Sequence, residues 1–88
     1  MKKTLMKNNN YYETSDLAFA SFLVASGHAK LVDIRHNDQF KNIFVFDPPP
    51  SQQVVLGFYG GTERVSALRL IESYQSLKSA TYMVKSNG

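Results

Sequence analysis

Two histidines, seven carboxylates and no cysteine are the groups from which this chain could build a reactive centre. His28 and His36 match no zinc-ligand spacing, and a four-coordinate site would have to draw carboxylates from distant segments. They read as a polar residue past a helix end and one beside a turn. Asp33, Asp38 and Asp47 flank one stretch of chain, and paired carboxylates do acid–base work when their surroundings split their pKa values. These three fall at strand ends and turns, where aspartate hydrogen-bonds local backbone. The lack of cysteine removes disulfides, thiolate nucleophiles and thiolate metal sites. No nucleophile, base and orienting group stand at a recognisable spacing, so no catalytic residue, metal or cofactor is expected, and the chain reads as non-enzymatic.

Binding chemistry has more candidates. Gly57, Gly60 and Gly61 could let backbone amides approach a phosphate at a helix start, yet no Gly-Lys-Ser/Thr follows and Glu63 puts an acid where the anion would sit. A helix–helix turn is the simpler reading. Tyr11, Tyr12, Phe44, Phe46, Phe58 and Tyr59, beside Arg35 and Lys41, are possible stacking platforms for single-stranded nucleic acid. That use requires the strand face carrying Phe44 and Phe46 to be open. Arg64, Arg69, Gln75 and Lys78 could meet phosphates or base edges, although Glu63 and Glu72 interrupt the same helix face.

The formal charge of +3 divides unevenly along the 88 residues. Lys2, Lys3, Lys7 and Lys85 lie near the ends. Residues 11–84 hold six cations against seven anions, so only the tails are basic, whereas a duplex-gripping domain usually carries a basic face of its own. Residues 1–10, with Asn8, Asn9 and Asn10, are expected to form a disordered basic leader. They do not read as a signal peptide, because a polar spacer separates Lys2 and Lys3 from the apolar run. That run is nine residues, far short of the ~20 needed to span a bilayer. A cytoplasmic location is expected, without membrane contact or a small-molecule substrate.

The elements that would position these groups emerge from pattern. Leu17 to Ala25 is apolar on nearly every side and ends at Gly27, which suits a left-handed C′ residue; Thr14 or Ser15 is expected as N-cap, with Asp16 favoured by the helix dipole. A helix apolar all round is buried or serves an interface. Lys30 to His36 alternates, placing Val32 and Ile34 on one face and Leu31, Asp33 and Arg35 on the other. Asn37, Asp38 and Gln39 form turns, and Phe40 to Phe46 completes an antiparallel hairpin in which both faces are apolar. Pro48, Pro49 and Pro50 stop the strand. Ser51 is expected to cap a short helix through Tyr59, with a strand as the alternative, because Gly57 and two valines weaken helix propensity. Thr62 is then expected to cap a last helix to about Tyr82, whose apolar stripe is Val65, Leu68, Leu70, Ile71, Tyr74 and Leu77. Residues 85–88 are expected to fray, and no heptad is sustained long enough for a coiled coil. The fold class is α+β: an N-terminal helix, an antiparallel β-hairpin, then two C-terminal helices packed on one face of a short sheet, as a single domain over residues 11–84.

The pattern Tyr12-x-Thr14-x-Asp16-Leu17, the strand Phe44-Val45-Phe46 and the closing Arg69 and Leu77-Lys78 resemble a family of small bacterial and phage domains of unknown function. The resemblance covers residues 11–82 and implies the fold, with no catalytic residue or cofactor to carry over. It implies a standalone product of a mobile element that binds host protein or nucleic acid. Pro48, Pro49 and Pro50 depart from the family pattern.

The expected function is a small protein-interaction module that self-associates, as a homodimer, or binds a protein partner through Phe19, Phe22, Phe44 and Phe46. The alternative is a nucleic-acid-binding accessory domain using Lys2, Lys3, Lys7, Arg64, Arg69 and Lys78.

Overall fold

The computed structural model describes residues 11–36 and 41–87, residues 84–87 by backbone alone. In chain order the elements are β1 Tyr12–Thr14, α1 Leu17–Ser26, β2 Leu31–His36, β3 Asn42–Phe46, α2 Gln52–Tyr59 and α3 Ala67–Asn87. The α+β class holds, but a strand precedes the first helix. Tyr12 to Thr14 pairs antiparallel with β3, Tyr12 opposite Phe46 and Thr14 opposite Phe44. The sheet order is β1-β3-β2, with both neighbours antiparallel to β3. β1 and β2 therefore run the same way with β3 between them, and α1 is the crossover of a split β-α-β unit.

α1 begins and ends by chemistry local to it. Asp16, rather than Thr14 or Ser15, is the N-cap: its Oδ1 accepts from the Phe19 amide at 3.1 Å, while Thr14 Oγ1 accepts from the Asp16 amide at 3.1 Å. Thr14 is committed to the sheet and so supports the cap instead of forming it. Gly27 closes the helix at φ 79°, its amide donating to the Leu23 carbonyl, a conformation that a side chain disfavours. Ser21, buried inside this helix, donates its hydroxyl back to the Leu17 carbonyl at 2.7 Å.

β2 corrects the expected alternation. Leu31 pairs with Phe46 and Asp33 with Val45, so Val32 is the extra residue of a β-bulge. The bulge lets Leu31 and Ile34, three residues apart, both pack on the core, and it leaves Val32 exposed. On the opposite sheet face Arg35 reaches Glu13 at 3.2 Å and Asp33 at 3.5 Å. Glu13 and Asp33 both stand opposite Val45 in register. These three side chains therefore lie over Val45, which is buried although it points away from the core. The proposed turn at Asn37 to Gln39 and the strand start at Phe40 fall outside the described residues, as does the proposed leader at 1–10.

α2 is a helix, not the alternative strand. Ser51 caps it, accepting from the Val54 amide at 3.2 Å. Gly57 makes room for the chain leaving this helix. A Cβ there would sit 2.8 Å from Glu63 Oε2 and 3.2 Å from Thr62 Oγ1, so its absence lets the backbone fold back over the helix end. Thr62 does not cap α3. Its amide and hydroxyl both donate to the Gly57 carbonyl, at 2.8 and 3.3 Å, which consumes it as the closing residue of α2. α3 instead starts at Ala67, with the Ser66 carbonyl accepting from the Leu70 amide at 2.9 Å, and it continues to Asn87, past the expected end near Tyr82.

The core is one cluster on the sheet face carrying Phe44 and Phe46. Phe19, Phe22 and Leu23 of α1 and Leu77 of α3 complete it, with Val54, Val55 and Phe58 of α2 packed on its edge. The large side chains of the apolar helix, Phe19, Phe22 and Leu23, are thus covered within the chain.

Candidate functional site

The four residues expected at an interface are the interior of this domain. Phe19 and Phe46 are 0 % exposed, Phe44 1 % and Phe22 2 %. Phe19 alone stacks or tilts against Tyr12, Phe22, Phe58 and Tyr59 at ring separations of 6.0, 6.2, 4.9 and 5.2 Å. This is a correction with a simple cause: the sheet, α2 and α3 together enclose the side of α1 that carries Phe19, Ala20, Phe22 and Leu23, leaving only Ala18 and Val24 of its apolar residues exposed. Phe44 and Phe46 share that fate, and a base has no access to stack on them.

The apolar surplus sits on α3. Leu68 is 65 % exposed, Ile71 54 % and Tyr82 60 %. The helix turns about 100° per residue, so Leu68 stands half a turn away from Leu77, which is buried in the core. The stripe of Leu68, Leu70, Ile71, Tyr74 and Leu77 is wider than one core can cover. Leu70 and Leu77 face inward, while Leu68 and Ile71 are left to solvent. Beside them a groove of about 440 Å³ runs between the helices. Ala18 and Ser21 of α1, Phe58 of α2, and Leu70, Ile71, Tyr74, Gln75 and Lys78 of α3 line it.

The cationic candidates are not gathered. Arg69 and Lys78 are nine residues apart on α3, which places them on opposite sides of that helix. Arg64 lies in the connection before α3, and Lys2, Lys3 and Lys7 lie outside the described residues. The glycine turn offers no anion cradle either. The amides of Gly60, Gly61, Thr62 and Glu63 already donate to the carbonyls of Leu56, Phe58, Gly57 and Gly57, at 2.8, 3.1, 2.8 and 3.3 Å.

His28 Nε2 lies 3.6 Å from Glu63 Oε1. The pair links the loop after α1 to the turn after α2, and its exposed setting limits it to about 1 kcal/mol or less. Among the described residues no group of three or more His, Asp or Glu is placed to hold a metal ion. No helix among them is long and apolar enough to cross a membrane.

One polar constellation was invisible in the sequence. The Tyr59 hydroxyl donates to Asp16 Oδ2 at 2.6 Å, tying the end of α2 to the cap of α1 across 43 positions of chain. The Tyr59 side chain is more than half exposed, yet partial burial of its ring against the aromatic cluster, then the hydrogen bond to Asp16, hold its phenol above its ordinary pKa. Burial and the same carboxylate raise that of Tyr12. A phenol raised in the folded state contributes stability that is complete below its unfolded pKa of about 10 and is lost as the pH climbs through the folded value. The stability margin of wild type over Tyr59→Phe is therefore expected to hold steady to about pH 9 and to shrink above roughly pH 10. Urea midpoints across that range test this; a margin that widens with pH would contradict the bond.

Compared with protein-family models, curated proteins and solved structures, the chain matches none.

Proposed function

We propose that this chain is a small non-enzymatic protein-interaction module that works through the outward face of α3 and the groove beside it. The observation that carries the reading is the exposure of Leu68, Ile71 and Tyr74 within two turns of one helix, next to an apolar groove that Ile71 and Tyr74 themselves line. Single exposed apolar residues are ordinary, but a contiguous apolar surface rimmed by polar side chains marks an interaction site. The polar lining supports binding over catalysis. Of the groove's two hydroxyls, Ser21 is buried and spends its proton on the Leu17 carbonyl, the other is the Tyr74 phenol, and the lining brings no histidine or carboxylate beside either to act as a base.

Photo-crosslinking inside cells tests the proposal. A benzophenone amino acid replacing Leu68 is expected to give discrete protein adducts on irradiation, whereas the same group replacing Gln53, exposed on α2, is expected to give none. Ile71→Glu should abolish the adducts from position 68. Absence of any adduct at position 68, or equal adducts at both positions, would remove the reading.

A further inference from the structure

The outward face of α3 has a spacing and a charge order that suit one occupant. Leu68, Ile71, Gln75, Lys78 and Tyr82 recur at intervals of three and four, the seam along which two helices pack. All five are exposed, as are Glu72 and Ser79 on the same face. Two heptads are too few for a free-standing coiled coil. Here the helix is already held by its inner face through Leu70, Leu77 and the buried Thr81, so pairing carries no cost of helix formation.

Charge order selects the direction. A parallel pair would set Glu72 beside Glu72 and Lys78 beside Lys78. An antiparallel pair with its two-fold axis at Gln75 sets residues equally far before and after that position against each other. Glu72 then meets the partner's Lys78, Leu68 meets the partner's Tyr82, and Ile71 meets the small Ser79 of the partner subunit. Gln75 meets its own copy, and an amide can both donate and accept. A self-complementary patch of this kind is what an isologous dimer requires.

We infer that α3 pairs antiparallel with α3 of a second copy of this chain about a two-fold axis at Gln75. The inference rests on the interaction reading above and adds the identity and orientation of the partner.

The chain has no cysteine, so introduced thiols report contacts without background. Under mild oxidation Gln75→Cys is expected to form a disulfide-linked dimer by itself. A mixture of Glu72→Cys and Lys78→Cys should yield the mixed species about tenfold faster than either variant alone yields its own, since disulfide formation demands close approach. Light scattering on uncrosslinked wild type at about 100 μM, above the range in which a modest interface dissociates, should give the mass of two chains. Lys78→Glu should weaken the dimer about tenfold by facing like charges, and adding Glu72→Lys to that variant should restore it. Homogeneous monomer at that concentration, or faster self-crosslinking of Glu72→Cys than mixed crosslinking, would overturn the pairing. If monomer is found while position 68 still captures a different protein in cells, the second copy is excluded and the interaction reading survives. Monomer with no adduct removes both.

Discussion

Phe19→Ala is expected to leave little folded protein at 37 °C. The ring is fully buried and contacts four other aromatic rings from β1, α1 and α2, so its removal deletes the contact through which three elements meet. Truncating a buried phenylalanine costs about 3–5 kcal/mol. A chain of this length has a total stability of roughly 4–13 kcal/mol, so the loss consumes a large share of it. Thermal unfolding followed by circular dichroism should show a midpoint lowered by about 12 °C or more, at some 4–8 °C for each kcal/mol in a domain this small. Leu68→Ala and Ile71→Ala, on the exposed side of α3, should each stay within about 0.5 kcal/mol of wild type under dilute conditions. The contrast separates a residue that holds the fold from residues that are there to be covered by something else. Near-wild-type melting of Phe19→Ala would mean that α1 is not enclosed by its own chain.

That contrast also shows where the sequence could be read and where it could not. The hairpin of β2 and β3, the Ser51 cap and the Gly27 stop were legible because each depends on residues close to one another in the chain. β1 was not, since three residues with a central glutamate carry too little alternation to declare a strand, and their pairing with Phe44 to Phe46 is made from 32 or so positions away. The bulge at Val32 puts Leu31 instead of Val32 on the core face beside Ile34, and nothing in Leu31-Val32-Asp33 announces it before β3 fixes the register. Thr62 and Ser66 are equally good caps by type. The cap is Ser66, whose Oγ accepts from the Arg69 amide at 3.4 Å, because Gly57, lacking a side chain, draws Thr62 back to its own carbonyl.

The candidate surface was misplaced for a related reason. An apolar helix and an apolar stripe compete for the same core, and pattern alone does not say which has priority. α1, as the crossover between β1 and β2, is forced onto the sheet by connection. α3 arrives last, contributes Leu70 and Leu77, and finds no further apolar area to cover Leu68 and Ile71. The surplus predicted for this domain is real in amount, and topology moves it from the first helix to the last.

Asp16→Ala is expected to cost about 2 kcal/mol, because one carboxylate serves two elements. Oδ1 accepts from the Phe19 amide at the start of α1, and Oδ2 accepts from the Tyr59 hydroxyl at the end of α2. Loss of an N-cap acid costs about 1 kcal/mol, and the hydrogen bond from Tyr59, a side chain more than half exposed, adds about 0.5–1 kcal/mol, within the range of a solvent-screened bond. Asp16→Asn divides the two contributions. Asparagine caps as well as aspartate but accepts the phenol proton less strongly, so this variant should lose about 1 kcal/mol or less. Tyr59→Phe should match the remainder, and the double variant Asp16→Asn with Tyr59→Phe should cost less than the sum of the singles by about 0.5–1 kcal/mol, the coupling of groups in direct contact. Urea denaturation with an unchanged slope is the measurement, since a shifted midpoint at constant slope reports stability alone. Strict additivity of the two substitutions would mean that α1 and α2 are joined by the aromatic cluster only, and that the 2.6 Å contact between Tyr59 and Asp16 contributes nothing to holding them.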